Sequence, residues 1–595
     1  MADFAVTARR VLGLSASLLC SALAGALYLY HAGSISIGML DIALALVIAF
    51  ATWWIAWGAV QGVIGLITPV PRRPSHAGPI TSRTCILVPV YNEDPVAVYA
   101  RIAAMDADLA AEGLTGSIDI AILSDTRKPE VAAEEERELV TLLDRTGGLG
   151  RIFYRRRVEN IGRKAGNIED FILSSGGAYD FALILDADSL MSGATIGEMI
   201  RRMESAPELG LLQSLPKVIG ARSRFGRMMQ FSAAFYAPIY CNGLSNLAGT
   251  TGSFWGHNAL VRVRAFAESC GLPTLRGRPP FGGHILSHDS VEAALLARSS
   301  WQVRVDPDLG GSFEEGPDDL IEYAKRDRRW AQGNLQHSRV LFAPGLKGWS
   351  RFALFQGIVA YVAPAIWALF LALSLWSAAT ETGIDYFPMP NFPVPIFPGE
   401  RTAAAIGLFA GVIGLLFISK FLVMFRALID GRAQQFGGAG RTVSSTFAEL
   451  LMSSIIAPLL MMFQMRALWQ ILSGRDGGWP SASRDSDAVP LKTAFAASWW
   501  MTLTGAGLIG LAGMFAPRLV AWLCPVAVPL VMAPLLISWT SHRGPNELMK
   551  APEEAAPAPV ITAFRRILAD WRNPRVAAPK PAEAGTEGQR AAVSV

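Results

Sequence analysis

Acidic side chains stand directly after three short apolar runs. Residues 85–90 lead into Tyr91-Asn92-Glu93-Asp94, residues 118–123 into Ser124-Asp125-Thr126, and residues 181–185 into Asp186-Ala187-Asp188-Ser189. In an extended segment Asp186 and Asp188 point to the same side. One or two carboxylates, completed by water and diphosphate oxygens, make a Mg2+ site. A cation there offsets the charge that develops on a departing nucleotide diphosphate. Arg163-Lys164-Ala165-Gly166-Asn167 opens a helical stretch and offers cationic and backbone donors to phosphate. Asp and Asn also cap helices and turns, and a basic helix start is ordinary. Three acidic strand ends, one of them an Asp-x-Asp, weigh against coincidence.

Two later segments carry further chemistry. Ser287-His288-Asp289-Ser290 opens a helix at 291–298, where Asp289 alone reads as a cap. His284 and His288 have the spacing of a zinc pair, but no HExxH glutamate accompanies them, so zinc is not expected. The stretch 323–337 is basic with Trp330 at its centre. Taken alone it also fits a membrane-interface helix with snorkelling cations.

The elements that must position these groups follow from the pattern. Strands at 85–90, 118–123, 152–154 and 181–185 alternate with helical stretches at 95–112, 131–143 and 164–173. That alternation predicts an α/β fold, a mostly parallel sheet with helices on both faces. Ligands bind beyond the carboxyl ends of such strands, where the acidic groups stand. The α/β insert occupies 74–350. Two membrane helices fill 1–73, near 11–30 and 44–67, and a membrane region fills 351–545, with spans near 352–376, 403–423, 493–514 and 519–539.

One apolar stretch resists simple counting. Residues 450–473 are interrupted by Pro458 and Arg466, and the loops on both sides carry arginines. An interfacial, re-entrant or tight hairpin segment near 446–473 keeps the parity of crossings, and with the loop to Lys492 it could gate an exit path. Loop cations place the insert and both termini in the cytoplasm, with 377–400 outside. In the tail, 546–595, Val560, Ile561, Phe564, Ile567, Leu568 and Trp571 share one helical face. That face fits either the membrane interface or the insert, and the chain beyond Pro574 reads as disordered.

Composition agrees with several spans. Hydrophobic residues make up 51% and charged residues 17% of the 595, against about 25% charged in ordinary globular domains. A net charge of +4 with no basic stripe argues against a nucleic-acid partner. Five scattered cysteines without a CxxC pair form neither a disulfide framework nor a thiolate metal site.

Six blocks in order carry a resemblance: VPVYNEDP (88–95), LSDTRKPE (123–130), DADSLMSG (186–193), GHNALV (256–261), SHDSVEA (287–293) and RRWAQGNLQH (328–337). Over roughly residues 80–340 the chain resembles the processive family-2 glycosyltransferases. Within them it looks most similar to the glucosyltransferase H proteins, which build the backbone of osmoregulated periplasmic glucans. The resemblance implies a GT-A fold, UDP-glucose as donor, a growing glucan as acceptor, inversion at the anomeric carbon, and Mg2+ or Mn2+ as cofactor. It implies that Tyr91, Glu93 and Asp125 border the uridine pocket and that Asp188, with Asp186, holds the metal. Asp289 would be the general base, Arg329 would stabilise the leaving diphosphate, and Trp330 would offer its face to the terminal acceptor sugar. Residues 254–258, including His257, would line the acceptor cleft.

Arg326 stands where the family pattern Gln-x-x-Arg-Trp has its Gln, which sets the chain apart from a plain cellulose synthase. A bacterial inner-membrane location follows from the resemblance, with membrane lipid and a periplasmic protein of the same pathway as partners and export coupled to synthesis. The competing readings are a cellulose- or hyaluronan-type synthase and a non-catalytic nucleotide-sugar sensor or transporter. Intact Asp188, Asp289 and Arg329-Trp330 argue against the sensor.

Overall fold

Residues 2–32, 37–380, 402–475, 488–544 and 547–573 are described in a computed structural model of the chain. Residues 381–401, which hold most of the outward loop expected over 377–400, the loop 476–487 and the tail from Pro574 lie outside the described residues; 377–380 end the helix Gly348–Thr380. Apolar helices at Ala2–Ala32 and Met39–Ile67 precede an α/β domain, and others follow at Gly348–Thr380, Thr402–Ile429, Ala439–Leu472 and Leu491–Phe515. Among the described residues six helices are long and apolar enough to cross a membrane, which makes this a membrane protein. The single span expected over 519–539 is instead broken: Pro517–Val531 and Ala533–Ser541 meet at 59°. Pro525 and Pro529 lie in the first half and Pro534 opens the second. Each lacks a backbone N–H and disturbs the preceding turn.

The domain's strands are β1 (Thr84–Val90), β2 (Ile118–Ser124), β3 (Ile152–Arg156), β4 (Phe181–Ile184), β5 (Leu190–Met191), β6 (Leu209–Gln213), β7 (Lys217–Ile219), β8 (Ala259–Arg262), β9 (Gln302–Val305) and β10 (Ser312–Glu315). Seven form one sheet in the order β3-β2-β1-β4-β8-β6-β9, and β5-β10-β7 form a second. β3, β2, β1 and β4 pair in parallel, as strands joined through helices must. β8 runs antiparallel to both β4 and β6. This reversal matters for the site. Ala259 at the start of β8 pairs with Ile184 at the end of β4, so the residues just before β8 reach the rim that carries Asp186.

Helices cover both faces of the sheet. Val98 and Ile102 of Pro95–Ala111, Leu142 of Pro129–Thr146 and Ile196 and Met199 of Gly193–Glu204 pack on one side. Ile168 and Phe171 of Arg163–Ser175 and Leu296 of His288–Arg298 pack on the other. The tail helix Pro559–Arg572 joins the first of these cores through Val560, Ile561 and Phe564. Of the two positions its apolar face allowed, it takes the domain. Arg101 lies 4.6 Å over the Phe564 ring, and Arg572 pairs with Asp94 at 2.7 Å.

Residues 450–473 do not form a re-entrant hairpin. They belong to one 34-residue helix, Ala439–Leu472, that continues through Pro458. At its start Arg441 pairs with Glu547 at 2.8 Å, and the preceding Phe436 packs on Phe231 and Phe235 of the domain. Toward its end Gln464 donates to Asp327 at 2.9 Å and Gln470 accepts from Arg328 at 2.8 Å. Both ends therefore contact the same domain. Ile456, Pro458 and Leu459 are buried, so packing holds the turns where the proline's missing donor would otherwise weaken them.

Candidate active site

Tyr91, Glu93, Asp125, Lys164, Asp186, Asp188, His257, Asp289, Arg326, Arg329 and Trp330 all line one cleft of about 580 Å3. The residues given a donor, metal or catalytic role are thus brought to one place. Of 254–258, expected to line the acceptor cleft, only Trp255, Gly256 and His257 reach it; Phe254 packs in the core and Asn258 is buried, donating to Ser312 Oγ at 2.8 Å. Pro89, Arg127, Asn160, Arg163 and Trp255 complete much of the wall.

The loops after β1 and β2 are stitched together. Asn92, at φ +57°, accepts from the amides of Arg127 and Lys128 at 3.2 and 3.1 Å, and its own amide donates to Thr126 Oγ1 at 2.9 Å. Asp94 caps the next helix by accepting from the Val96 and Ala97 amides. Tyr91 N–H donates to the Glu93 carboxylate. Asp125 is gripped on both oxygens by Arg157 at 2.9 Å, and Asn160 Nδ2 donates to its carbonyl at 2.7 Å. Two donors in a rigid fork fix a carboxylate's orientation.

The helix Arg163–Ser175 starts from Gly162 at φ +70°, and a Cβ on Gly166 would overlap the Ile161 carbonyl. Only glycine lets this turn close so tightly. Lys164, in the first turn, donates to the Asp186 carboxylate and, at 2.7 Å, to the Gly256 carbonyl. Burial pushes the Asp186 pKa up, but Lys164, His257 and Arg326 outweigh it and hold the carboxyl well below its ordinary value. Asp186 therefore stays ionised in the cleft. Among the described residues no group of three or more His, Cys, Asp or Glu could hold a metal alone. Two cleft carboxylates, one of which takes an ammonium in this structure, fit a cation whose remaining ligands come from diphosphate and water.

Across the cleft, Asp319 caps the helix Leu320–Gln336 that carries Arg326, Arg329 and Trp330. Trp330 is 42% exposed, and the Arg326 guanidinium lies 4.5 Å over its ring centroid. Burial and the neighbouring Arg326 push the Arg329 pKa down, with Asp186 opposing. Such cationic crowding is relieved by an anion. The loop before the helix His288–Arg298 is tied to this helix: Gln336 accepts from Leu286 N–H at 2.9 Å, and His337 Nε2 lies 2.9 Å from the Ser287 carbonyl. Asp289 stands in that next helix's first turn. Its carboxylate packs over Gly256, the residue whose carbonyl Lys164 binds.

Residues 85–269 match the family described as glycosyl transferase family 2, and 181–417 that described as glycosyl transferase family group 2. Over 567 residues, 95% of this chain and 95% of the relative, the sequence is 53% identical to a glucans biosynthesis glucosyltransferase H of Cereibacter sphaeroides. The chain belongs to the glucans biosynthesis glucosyltransferase H family. A family member from Vibrio cholerae is 40% identical over 83% of this chain and 69% of its own length. Among solved structures, a mannosyltransferase of Pyrobaculum calidifontis in complex with GDP-Man and Mn2+ aligns at TM-score 0.40 and 16% identity, covering 68% of this chain and 96% of that one. As a member of the glucosyltransferase H family the chain is a glycosyltransferase, with an α/β domain of GT-A type between apolar helices.

Several residues of the site were not singled out in the sequence. Arg157 lies in the basic run Arg155-Arg156-Arg157, and only the β2–β3 register, with Ser124 opposite Arg156, brings it to Asp125. Glu314, on β10, faces His257 at 3.4 Å and Arg326 at 3.9 Å. Gln336 and His337 sit inside a quoted block, yet their hold on residues 286–287 depends on tertiary contact.

Proposed function

We propose that this chain transfers glucose from UDP-glucose to a growing glucan, building the β-1,2-linked backbone of osmoregulated periplasmic glucans. The convergence of donor-side and acceptor-side groups on one cleft carries the reading. Tyr91, Glu93 and Asp125 border the uridine, with Asp125 held by Arg157. Lys164 and Arg163 reach the diphosphate, and Asp186 with Asp188 would hold Mg2+ or Mn2+, which supplies charge neutralisation on the diphosphate. Asp289 takes the acceptor proton as the acceptor oxygen attacks the anomeric carbon. The new C–O bond forms while the bond to the diphosphate oxygen breaks, and its electron pair leaves with UDP. Arg329 offsets the charge gathering there. Trp330 stacks on the terminal acceptor sugar, and His257 lies along the acceptor path.

The membrane reading follows from the ends of the helices. Arg10, near the start of the first helix, donates to the Leu247 and Ala248 carbonyls, and the tail helix packs in the domain core. Both ends of the described chain thus share the domain's side, which supports six crossings, counting the bent pair as one and leaving Ala439–Leu472 along the domain. Loop charges assign that side to the cytoplasm of a bacterial inner membrane. Export of the glucan through the later helices, with lipid and a periplasmic pathway protein as partners, completes the proposal.

The test is UDP release from UDP-glucose by the purified protein in Mg2+, with linkage analysis of the polymer. A β-1,2 product supports the reading. A β-1,4 product moves the chain to a cellulose-type activity, and no turnover of any UDP-sugar rejects catalysis.

A further inference from the structure

Glu314 is not among the residues that line the cleft, yet it faces two that do, His257 and Arg326. Alternation along β10 sends Phe313 and Glu315 one way and Ser312 and Glu314 the other. Phe313 enters the core, and Glu315 pairs with Arg101. Ser312 Oγ accepts from Asn258 Nδ2 at 2.8 Å, and Glu314 Oε2 lies 3.4 Å from His257 Nε2. Consecutive residues of the loop before β8 are thus held by alternate residues of β10. The same Glu314 oxygen lies 3.9 Å from Arg326 Nη2. Arg326 replaces a neutral amide of the wider family pattern, so this position carries a charge that needs an anion, all the more because Arg329 lies nearby.

We propose that Glu314 is a positioning residue for the acceptor: its carboxylate holds Arg326 and His257 together, so that Arg326 covers one face of Trp330 and leaves the opposite face to the sugar. Without the carboxylate, Asp186 alone still draws Arg326 while Arg329 repels it, and Arg326 leaves the ring. Stacking then loses its fixed side. On the donor side, the groups on β1 and β2 keep their contacts, and Lys164, the strongest of the cations acting on Asp186, still holds that carboxylate ionised. The inference rests on the proposed glucosyl transfer, and wild-type turnover in the same assay tests that reading first.

The experiment uses the full chain in detergent with UDP-glucose and short β-1,2-glucan acceptors, reading KM for each substrate and thermal unfolding. Glu314→Gln, nearly isosteric, keeps the unfolding midpoint, raises acceptor KM about tenfold, as loss of a charged contact does, and leaves donor KM within about twofold. Glu314→Asp recovers part of the loss. Adding Arg326→Gln to Glu314→Gln produces no further rise, because the first change has already disabled Arg326. Equal effects on both KM values, no effect at all, or full additivity of the two substitutions would overturn the proposal. Absence of wild-type turnover would overturn the transfer reading and this inference with it.

Discussion

Gly333 packs against Ser287 so closely that no side chain fits between them: a Cβ would stand 2.8 Å from the Ser287 Cβ and overlap its hydroxyl and amide nitrogen. This contact sets the distance between the helix bearing Arg329 and Trp330 and the turn bearing Asp289. Gly333→Ala must push the two apart. Overpacking of this kind costs about 1–3 kcal/mol. The variant is expected to unfold at lower temperature and to lose at least about tenfold in kcat/KM. Unchanged UDP release would mean that the separation does not govern the reaction.

Asp289→Asn tests the base. Removing a general base costs roughly 10²–10⁴-fold in rate. UDP binding, followed by calorimetry, should stay at the wild-type level because Asp289 faces the acceptor. Wild-type turnover in this variant would reject the assignment.

The fork between Arg157 and Asp125 gives a donor-side counterpart. Lysine keeps the charge at 157 but cannot bind both oxygens. Arg157→Lys should raise the KM for the nucleotide sugar about tenfold and leave acceptor KM alone. The reverse pattern would place Asp125 outside the nucleotide pocket.

His288 supplies a pH signature. Burial alone would lower its pKa, but the Glu292 carboxylate, 3.0 Å from Nδ1, with help from Asp289, raises it above the ordinary value. A histidine that binds its proton more tightly when folded stabilises the protein fully below its unfolded pKa of about 6.5. That stabilisation is lost as pH rises through the higher folded value. Unfolding midpoints should fall through this window, and Glu292→Gln should flatten the fall. An identical slope in the variant would remove the pair as its cause.

Phe564→Ala addresses the tail helix. Truncating a buried phenylalanine costs about 3–5 kcal/mol, and here it also strips the ring beneath Arg101. A large drop in thermal stability is expected. A variant as stable as the wild type would show that the helix is only loosely attached.

The acidic rim was readable because strand ends in an α/β pattern can be located from apolar runs and the turns that follow. Asp289 and Arg329 were readable only through the resemblance, since each alone passes for a cap or a snorkelling cation. Arg157 and Glu314 escaped for a different reason. Their partners are fixed by register and by the reversed direction of β8, and the four residues Ala259–Arg262 carry no mark of direction. Of the readings of 446–473, the hairpin is absent because Pro458 does not break the helix, which continues from Ala439 to Leu472. Its ends instead bind Glu547 on one side and Asp327 and Arg328 on the other.

The helix Pro559–Arg572 closes the same core that Pro95–Ala111 begins. On a ribosome adding about 5–20 residues per second, those two pieces emerge tens of seconds apart, with the later membrane helices made between them. The early part of the domain must wait with Arg101 and the surface that Phe564 covers open until those helices have been laid down. Maturation is thereby ordered: the domain, already anchored by the two helices before it, is completed only after the later membrane helices exist, so a chain stalled midway through that region would be an unfinished enzyme exposed to quality control.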